Sequence, residues 1–524
     1  MSTKLNYFFL ALFFVGTAFS QQKDKQINWY NTSKSGLQTE KAYQFLKKKN
    51  KKSSTVLVAV IDSGVDVEHE DLKGKLWVNM KEIPDNNIDD DKNGYIDDIH
   101  GWNFLGNASG KNQEHACYEK TRMYRNLRDK YERLEAKQVK DLDKKEYELY
   151  VKLRNEVKQE RVEYEGYKKQ YEQLPMIIKY VPQIMLKVLN KTDYTVQDIL
   201  KWKPKDEEEQ EIKSLALAIA KGELSEEIVN EQMEQINAAL EYHLNVEYDD
   251  RINIGDDPSD FTQITYGNNN VEGPDALHGT HVAGIIAANR NNGLGGDGVA
   301  ENVQIMAVRA VPNGDEYDKD IALAIRYAVN NGAQIINMSF GKAYSPNQKE
   351  VYEALLYASS KGVLLVHAAG NDNKNIDVES NFPAVKYDFQ QTKLPLLLTI
   401  GASTEDAKGK LAADFSNYGQ NSVDVFAPGH DIYNTIPQSA YKKLDGTSMA
   451  APMVAGVAAL LKSYYPNLSM EQIKNIILQS AKSYKTTKQL KPGTQDKVLF
   501  GTLSITGGVV DVLQAVKLCE ESVK

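Results

Sequence analysis

Four short, largely apolar runs constrain the fold of this chain more than anything else in it: VLVAVIDSG, VQIMAVRAV, AQIINMSFG and GVLLVHAAG. Each has the length of one strand, and none alternates cleanly between apolar and polar residues, so both faces of each strand need cover. Stretches such as DIALAIRYAVNNG lie between the runs and carry the spacing of amphipathic helices. Strands alternating with helices predict an α/β domain with a buried, mostly parallel sheet. The pattern occupies Ser54 to Gly106 and resumes from Asp256 to about Val516.

Between about Lys111 and Asp249 the character changes. Gly and Pro become scarce and Glu, Lys, Gln, Leu and Tyr dominate, which favours long helices. Tyr124, Leu127, Tyr131 and Leu134 follow a 3-4 spacing, Pro175 is placed to end the first long helix, and Ser225 before Glu226 and Glu227 reads as an N-cap. The segment is expected to be an all-helical hairpin or small bundle inserted into the α/β domain. The expected organisation is an N-terminal signal peptide over 1–20, a first part of the α/β domain over 21–110, a charged helical insertion over 111–249, and the second part of the domain over 250–524.

The signal-peptide reading rests on Lys4, the apolar run Tyr7 to Phe19 and the small residues Ala18 and Ser20. That run is too short to span a bilayer comfortably, so an exported chain, periplasmic or extracellular, without a membrane span in its mature form is expected. With 63 Lys+Arg against 72 Asp+Glu and a net charge of -9, no excess of positive charge is present to neutralise phosphates, which excludes nucleic acid as an expected partner. The two cysteines, Cys117 and Cys519, could pair in an exported protein, but nothing in the sequence places them within bridging distance.

The chemistry gathers in loops beside the apolar runs. In VLVAVIDSGVDVEHEDL, Asp62 follows a strand, at the sheet edge where α/β proteins place their sites; by itself it reads equally well as an aspartate bracing a turn. In GPDALHGTHVAGIIAA, His278 precedes a helix of small residues. In LDGTSMAAPMVAGVAALL, Ser448 opens a helix of Ala, Val, Gly and Leu, where the positive end of the dipole and free N–H groups favour a nucleophile and can receive an oxyanion. Pro452 is tolerable only because it lies in the first turns of that helix.

A fourth motif is DNNIDDDKNGYIDDIHGWNF. Asp89, Asp91 and Asn93 alternate, Gly94 allows a sharp turn, and the Tyr95 carbonyl with Asp97 or Asp98 could complete an oxygen shell for one hard cation. The spacing matches half an EF-hand loop, but His100 stands where that loop has Glu, so an EF-hand is excluded.

DSGVD, HGTHVAG and GTSMAAP in the order Asp, His, Ser resemble the subtilisin-like serine proteases, the subtilases. The resemblance implies a three-layer subtilisin-like fold and a serine endopeptidase acting on protein or peptide substrates through an acyl-enzyme. Ser448 would be the nucleophile, His278 the general base and Asp62 the carboxylate that fixes the imidazole. GVLLVHAAGNDN resembles the family strand ending in the oxyanion asparagine, which gives that role to Asn371. A peptide substrate would add as a strand to the segment ending Ser339, Phe340, Gly341, with Ala368, Ala369 and Gly370 as the opposite wall of the primary pocket. These small residues leave room for a large side chain, and the pocket floor is expected near Asn381 to Val385.

Acidic loops like Asp89 to Asp98 serve subtilases as calcium sites, so a structural calcium is implied; a second site where Asp71 meets NRNNGLGGDG is implied more faintly. His367 departs from the family, which has a small residue there, and His281 reads as a packed or hydrogen-bonded histidine. Another departure is the short stretch before the first strand, too short for a folded propeptide. The insertion is expected to gate the cleft, bind a partner or assist folding. Two other functions fit the same motifs: a proteolytically silent binding or chaperone-like protein on this scaffold, and a peptide ligase.

Overall fold

The run Val56–Asp62 forms a strand, β1, in which every residue except Leu57 is buried. Val58 and Val60 enter one apolar cluster, with Val282, Ile285 and Val454, while Ala59 and Ile61 enter another, with Ile321, Ile325 and Leu355. That two-sided burial is what a continuous apolar run requires. The computed structural model describes residues 27–390 and 392–523. The signal peptide expected over 1–20 lies outside them.

The remaining strands of the central sheet are β2 (Gly101–Asn103), β3 (Val303–Arg309), β4 (Ile335–Met338), β5 (Leu364–Ala368), β6 (Leu397–Ser403) and β7 (Val425–Pro428). Together with two short edge pieces, Gly508–Val509 and Lys482–Ser483, they form a nine-stranded sheet. Its order is Lys482–Ser483, Gly508–Val509, β7, β6, β5, β4, β1, β3, β2, and every pairing is parallel except that between the two edge pieces. The chain passes from β3 on one side of β1 to β4 on the other, so β1 stands where the winding reverses. Loops at the carboxyl ends of such strands part there and leave a crevice. Asp62 is the last residue of β1 and sits in that crevice.

Helices cover both faces. Leu277–Ala287, Thr447–Tyr464, Met470–Ser480 and Val512–Ser522 contribute to the cluster on one side, and Asp318–Asn330 and Gln348–Ser360 to the cluster on the other. This is the three-layer α/β arrangement expected from the sequence. A hairpin of β8 (Ile432–Ile436) and β9 (Ala440–Leu444) stands apart from the sheet. Cys117 and Cys519 are both free and buried, and burial pushes each thiol up to about 12.

The chain divides into two compact units, Lys158–Glu241 and the remainder of the described chain on either side of it. The helical segment expected over 111–249 is thus shared between them. Glu119–Tyr131 belongs to the unit that contains the sheet, and so does the first half of Lys144–Tyr171. There Tyr124, Tyr131 and Tyr150 are buried against one another, with ring centroids 5.6 to 5.8 Å apart for Tyr150 and its two neighbours. Leu134 falls beyond the helix end at Tyr131 and is exposed, so the 3-4 spacing stops one turn earlier than the sequence suggests.

The unit Lys158–Glu241 contains Leu174–Leu189, Val196–Lys201, Glu207–Ala220 and Glu226–Ala238, which bury small groups such as Val181, Met185, Ile199 and Ala216. Pro175 opens the second long helix, at a position where its missing N–H costs nothing, rather than simply ending the first. Ser225 caps its helix as expected, its Oγ accepting from Ile228 N at 3.2 Å. Among the described residues no helix is long and apolar enough to cross a membrane.

Candidate active site

Three chain segments meet at the crevice beyond β1. Asp62 is buried, and its Oδ1 accepts both the Ser63 N–H at 2.8 Å and the His278 Nδ1–H at 2.6 Å. His278 is the second residue of the helix Leu277–Ala287. The helix approaches this closely because position 279 is glycine: a Cβ there would lie 2.0 Å from the Gly64 carbonyl oxygen and 3.1 Å from Asp62 Cβ. Burial alone would lower the His278 pKa, but the Asp62 carboxylate more than offsets it, and the imidazole is raised above its ordinary value. The bond to Asp62 places the neutral ring's proton on Nδ1 and leaves Nε2 as a base.

Ser448 is the second residue of Thr447–Tyr464, a helix that begins without a side-chain cap of its own. Asn371 fills that role from the end of the β5 segment: its Oδ1 accepts from Thr447 N at 2.8 Å and from Thr447 Oγ1 at 2.9 Å. Gly446 has φ +154, and a Cβ on it would lie 3.4 Å from Asn371 Nδ2 and 3.5 Å from Ser448 N. Two N–H donors therefore border one small space that a side chain at 446 would fill. Such a pair can stabilise an oxyanion.

The Ser448 hydroxyl donates to the Ser339 carbonyl at 3.1 Å. Ser339 returns a bond, its own hydroxyl donating to the Ser448 carbonyl at 2.9 Å. The reason is in the sequence. Pro452 has no N–H to offer the carbonyl four residues before it, and the Ser339 hydroxyl takes the vacant acceptor. Asn337 Nδ2 in turn donates to Ser339 Oγ at 2.9 Å.

The Subtilase family profile matches residues 53–501 of the chain. The chain belongs to the subtilase family. It is 45% identical to the thermophilic serine proteinase of Bacillus sp. (strain AK1) over 187 residues, which are 36% of this chain and 42% of that protein. It is 38% identical to subtilisin Savinase of Lederbergia lenta over 212 residues, 40% of this chain and 72% of that protein. A third relative, the thermostable alkaline protease of Halalkalibacterium halodurans, is 40% identical over 205 residues, 39% of this chain and 52% of that protein. The match spans about half the length of the first and third of these relatives.

In this subtilase the expected substrate walls follow β4 and β5. Of Ser339, Phe340 and Gly341, expected as one, Ser339 is tied to the Ser448 helix as above. Of Ala368, Ala369 and Gly370, expected as the other, Gly370 donates its N–H to Thr447 Oγ1 at 3.0 Å. His367 lies behind both. Its Nε2–H donates to the Phe340 carbonyl at 2.8 Å, and burial lowers it to about 4, so it is neutral. His281 is similarly buried and lowered to about 3, its Nε2–H shared between the Ile432 and Lys442 carbonyls, which fits the hydrogen-bonded reading.

The acidic loop arranges its carboxylates unevenly. Oxygens of Asp89 and Asp91 converge with one from Glu82, all within 4.8 Å of one another. Asp97 accepts from Asn86 N and Asn87 N instead. Asp98 accepts from Asn79, Asn93 and Tyr327 at 2.6 to 3.0 Å. Asn93 Oδ1 accepts from Tyr95 N, and the Tyr95 ring packs against Trp102 and Tyr327. At the fainter second site Asp71 Oδ1 accepts from Asn292, while its Oδ2 is buried without a partner.

Sequence reasoning missed Glu82, which has no place in the alternating motif. It also missed Arg309, the last residue of β3 and register partner of Asp62, fully buried with its Nε donating to Ser63 O and its Nη1 to Asn103. A lone arginine closing an apolar strand was the available signal.

Proposed function

We propose that this subtilase is an exported serine endopeptidase that hydrolyses peptide bonds of protein or peptide substrates. The observation that carries the reading is the 2.6 Å bond from His278 to buried Asp62; Ser448 donates to the Ser339 carbonyl just past β4, the strand beside β1. Family membership and relatives named as serine proteinases support it.

His278 Nε2 takes the hydroxyl proton as Ser448 Oγ attacks the scissile carbonyl carbon, and Asp62 stabilises the imidazolium that results. For this the hydroxyl gives up its bond to Ser339 O. The carbonyl oxygen, now an oxyanion, accepts from Ser448 N and Asn371 Nδ2. A donor of this type contributes about 3–4 kcal/mol to the transition state. The C–N bond then breaks, the amine leaves with the proton from Nε2, and the acyl group remains on Ser448. Water, deprotonated by the same nitrogen, releases the acid and restores the serine.

Glu82, Asp89 and Asp91 suit a hard dication, and we include a structural calcium held by them. It would offset most of the charge of three converging carboxylates and keep the loop folded. The unit Lys158–Glu241 is read as a gate, a partner contact or a folding aid, and a deletion variant lacking it that folds and cleaves protein unchanged would remove that reading.

The test is labelling by a serine-directed fluorophosphonate, with and without calcium, beside Ser448→Ala. Labelling that disappears in the variant is expected. No labelling of folded protein in calcium would replace the enzyme by a binding protein on the same scaffold.

A further inference from the structure

The helix Leu174–Leu189 is strongly apolar, yet the unit Lys158–Glu241 covers only one side of it. Leu174, Val181 and Met185 are buried, in clusters that include Ile199, Ala216 and Val229. At 3.6 residues per turn these three fall within about 40° of one another around the helix. The uncovered side carries Met176, Tyr180, Ile184 and Val188 at four-residue intervals, with Lys179 and Lys187 among them, and all six are exposed. Met176 is 66% exposed and Tyr180 51%. A helix whose only task is to pack inside its own unit turns polar residues outward. This one turns out a row of large apolar side chains.

The charge on this side has one sign. The helix contains no acidic residue, and residues 173–205 hold six lysines against two aspartates, whereas 206–241 hold two lysines against eleven acids. Lysines that serve solubility alone find acids close by, as Lys191 finds Asp198 and Lys205 finds Glu209. Among the described residues Lys179 and Lys187 make no ion pair and no hydrogen bond. An apolar and cationic face therefore stands free in a chain whose net charge is -9. The helix has 16 residues and is about 24 Å long, short of the ~30 Å hydrocarbon core of a bilayer, and its other side is already buried. It can lie on a bilayer but not across one. A second copy docked on the same patch about a two-fold axis would set these lysines against their own kind.

We propose that the exposed side of Leu174–Leu189 binds the surface of a membrane rich in anionic lipid, with the helix lying flat at headgroup level. Met176, Tyr180, Ile184 and Val188 enter between the headgroups, and the Lys179 and Lys187 ammonium groups reach lipid phosphates on flexible stems. Tyrosine suits this depth, with its ring at the acyl boundary and its hydroxyl in water. A helix side is a ridge, and a lipid surface yields around a ridge where a folded partner would need a matching groove. The proposal selects the partner contact among the roles read for Lys158–Glu241. It does not depend on the endopeptidase reading.

The experiment is co-flotation with vesicles of phosphatidylcholine, alone or mixed equally with phosphatidylglycerol. The chain lacks residues 1–20, so that the apolar run Tyr7 to Phe19 cannot itself bind lipid, and carries Ser448→Ala, so that self-cleavage cannot remove the unit. Binding to the anionic vesicles at about 0.1 M salt should be at least about tenfold tighter than to phosphatidylcholine, and should weaken at about 1 M, where the screening length shortens to roughly 3 Å. Lys179→Glu with Lys187→Glu should lower it at least about tenfold. Met176→Gln with Tyr180→Gln should lower it as much while the salt dependence stays. Both pairs are exposed and should leave the denaturation midpoint where it was. Tyr180→Trp should add an emission that shifts to the blue with anionic vesicles only. Folded protein that floats with neither vesicle, or that floats unchanged in both double variants, would overturn the proposal. So would self-association abolished by Lys179→Glu with Lys187→Glu in protein that does not float, which would make the acidic 206–241 stretch of a second copy the occupant. Fluorophosphonate labelling of the chain that keeps Ser448 reads the endopeptidase proposal separately, so either can fail without the other.

Discussion

In the unit that holds Asp62, His278 and Ser448, charged side chains are taken inside. Lys342 Nζ lies 2.7 Å from Glu119 and 2.8 Å from Asp318, and none of the three side chains is more than 6% exposed. Arg122 bonds Glu119 at 2.6 Å, and the Tyr317 ring is clasped between Arg122 at 3.9 Å and Arg251 at 4.0 Å. In Lys158–Glu241 the charges stay in water: Lys191 and Asp198 pair at 48% and 28% exposure, Lys205 and Glu209 at 84% and 24%. A buried pair whose partner is removed leaves an uncompensated charge, whereas an exposed pair exchanges one partner for water. Charge in the first unit therefore fixes geometry, and charge in the second serves solubility and helix propensity.

Asp62 is the sharpest case, being a buried carboxylate with a reaction depending on it. Asp62→Asn should cost about ten-thousandfold in kcat, the scale on which such triads fail when the imidazole loses its orientation. The pH profile separates this from misfolding. Activity needs neutral His278, and because its pKa is raised, the acid limb in kcat/KM should have its midpoint above about 6.5, the unperturbed imidazole value, and move down in the variant. The linkage for stability has the opposite sense. The native state binds that proton more tightly than the unfolded chain, so the pair stabilises most below the unfolded value and loses its contribution as pH rises through the raised one. A midpoint that does not move would mean that Asp62 does not govern the histidine.

Lys342→Met breaks the ionic group beside Gly341 and should destabilise by about 3–5 kcal/mol in denaturant unfolding, because Asp318 is left buried without its cation while Glu119 keeps Arg122. Adding Asp318→Asn should return part of the loss. If the single change is neutral, burial of charge does not distinguish the units. Ser339→Ala comes next, at about 1–3 kcal/mol, since the Ser448 carbonyl would face Pro452 with no donor. It should lower kcat more than it raises KM, as the carbonyl sits on the nucleophile itself.

The two units also differ in how well their sequences announce them. The apolar runs specify β1, β3, β4 and β5 because a strand covered on both faces has little compositional freedom. Asp62 ends β1 and Asn371 follows β5, while His278 and Ser448 stand in the first turns of the helices Leu277–Ala287 and Thr447–Tyr464. The limits of the helical segment were harder to read. Composition records helix propensity across 111–249, but which helices join the sheet-bearing unit depends on Tyr124, Tyr131 and Tyr150 and on Glu119 and Arg122, residues as charged or amphipathic as their neighbours. Glu82 was illegible for a related reason. It acts through space on a motif to which it contributes no spacing.

The smallest effects should come from Lys158–Glu241, and two changes there can be set against each other. Ser225→Ala removes the oxygen that accepts Ile228 N at the start of Glu226–Ala238, leaving one more N–H of the first turn to solvent. A loss of about 1 kcal/mol is expected. Lys191→Ala removes a charged partner of Asp198, but Asp198 keeps the Thr195 N–H and hydroxyl at 2.8 Å in the capping box, and the lysine was half in water already. No shift of the denaturation midpoint is expected. Thus in this unit the backbone cap should outweigh the ion pair, the reverse of the order around Lys342. Hydrogen exchange over 158–241 would read both changes locally, free of the larger unit's signal. Should Lys191→Ala cost as much as Ser225→Ala, the exposed pairs are carrying structure and the contrast between the two units fails.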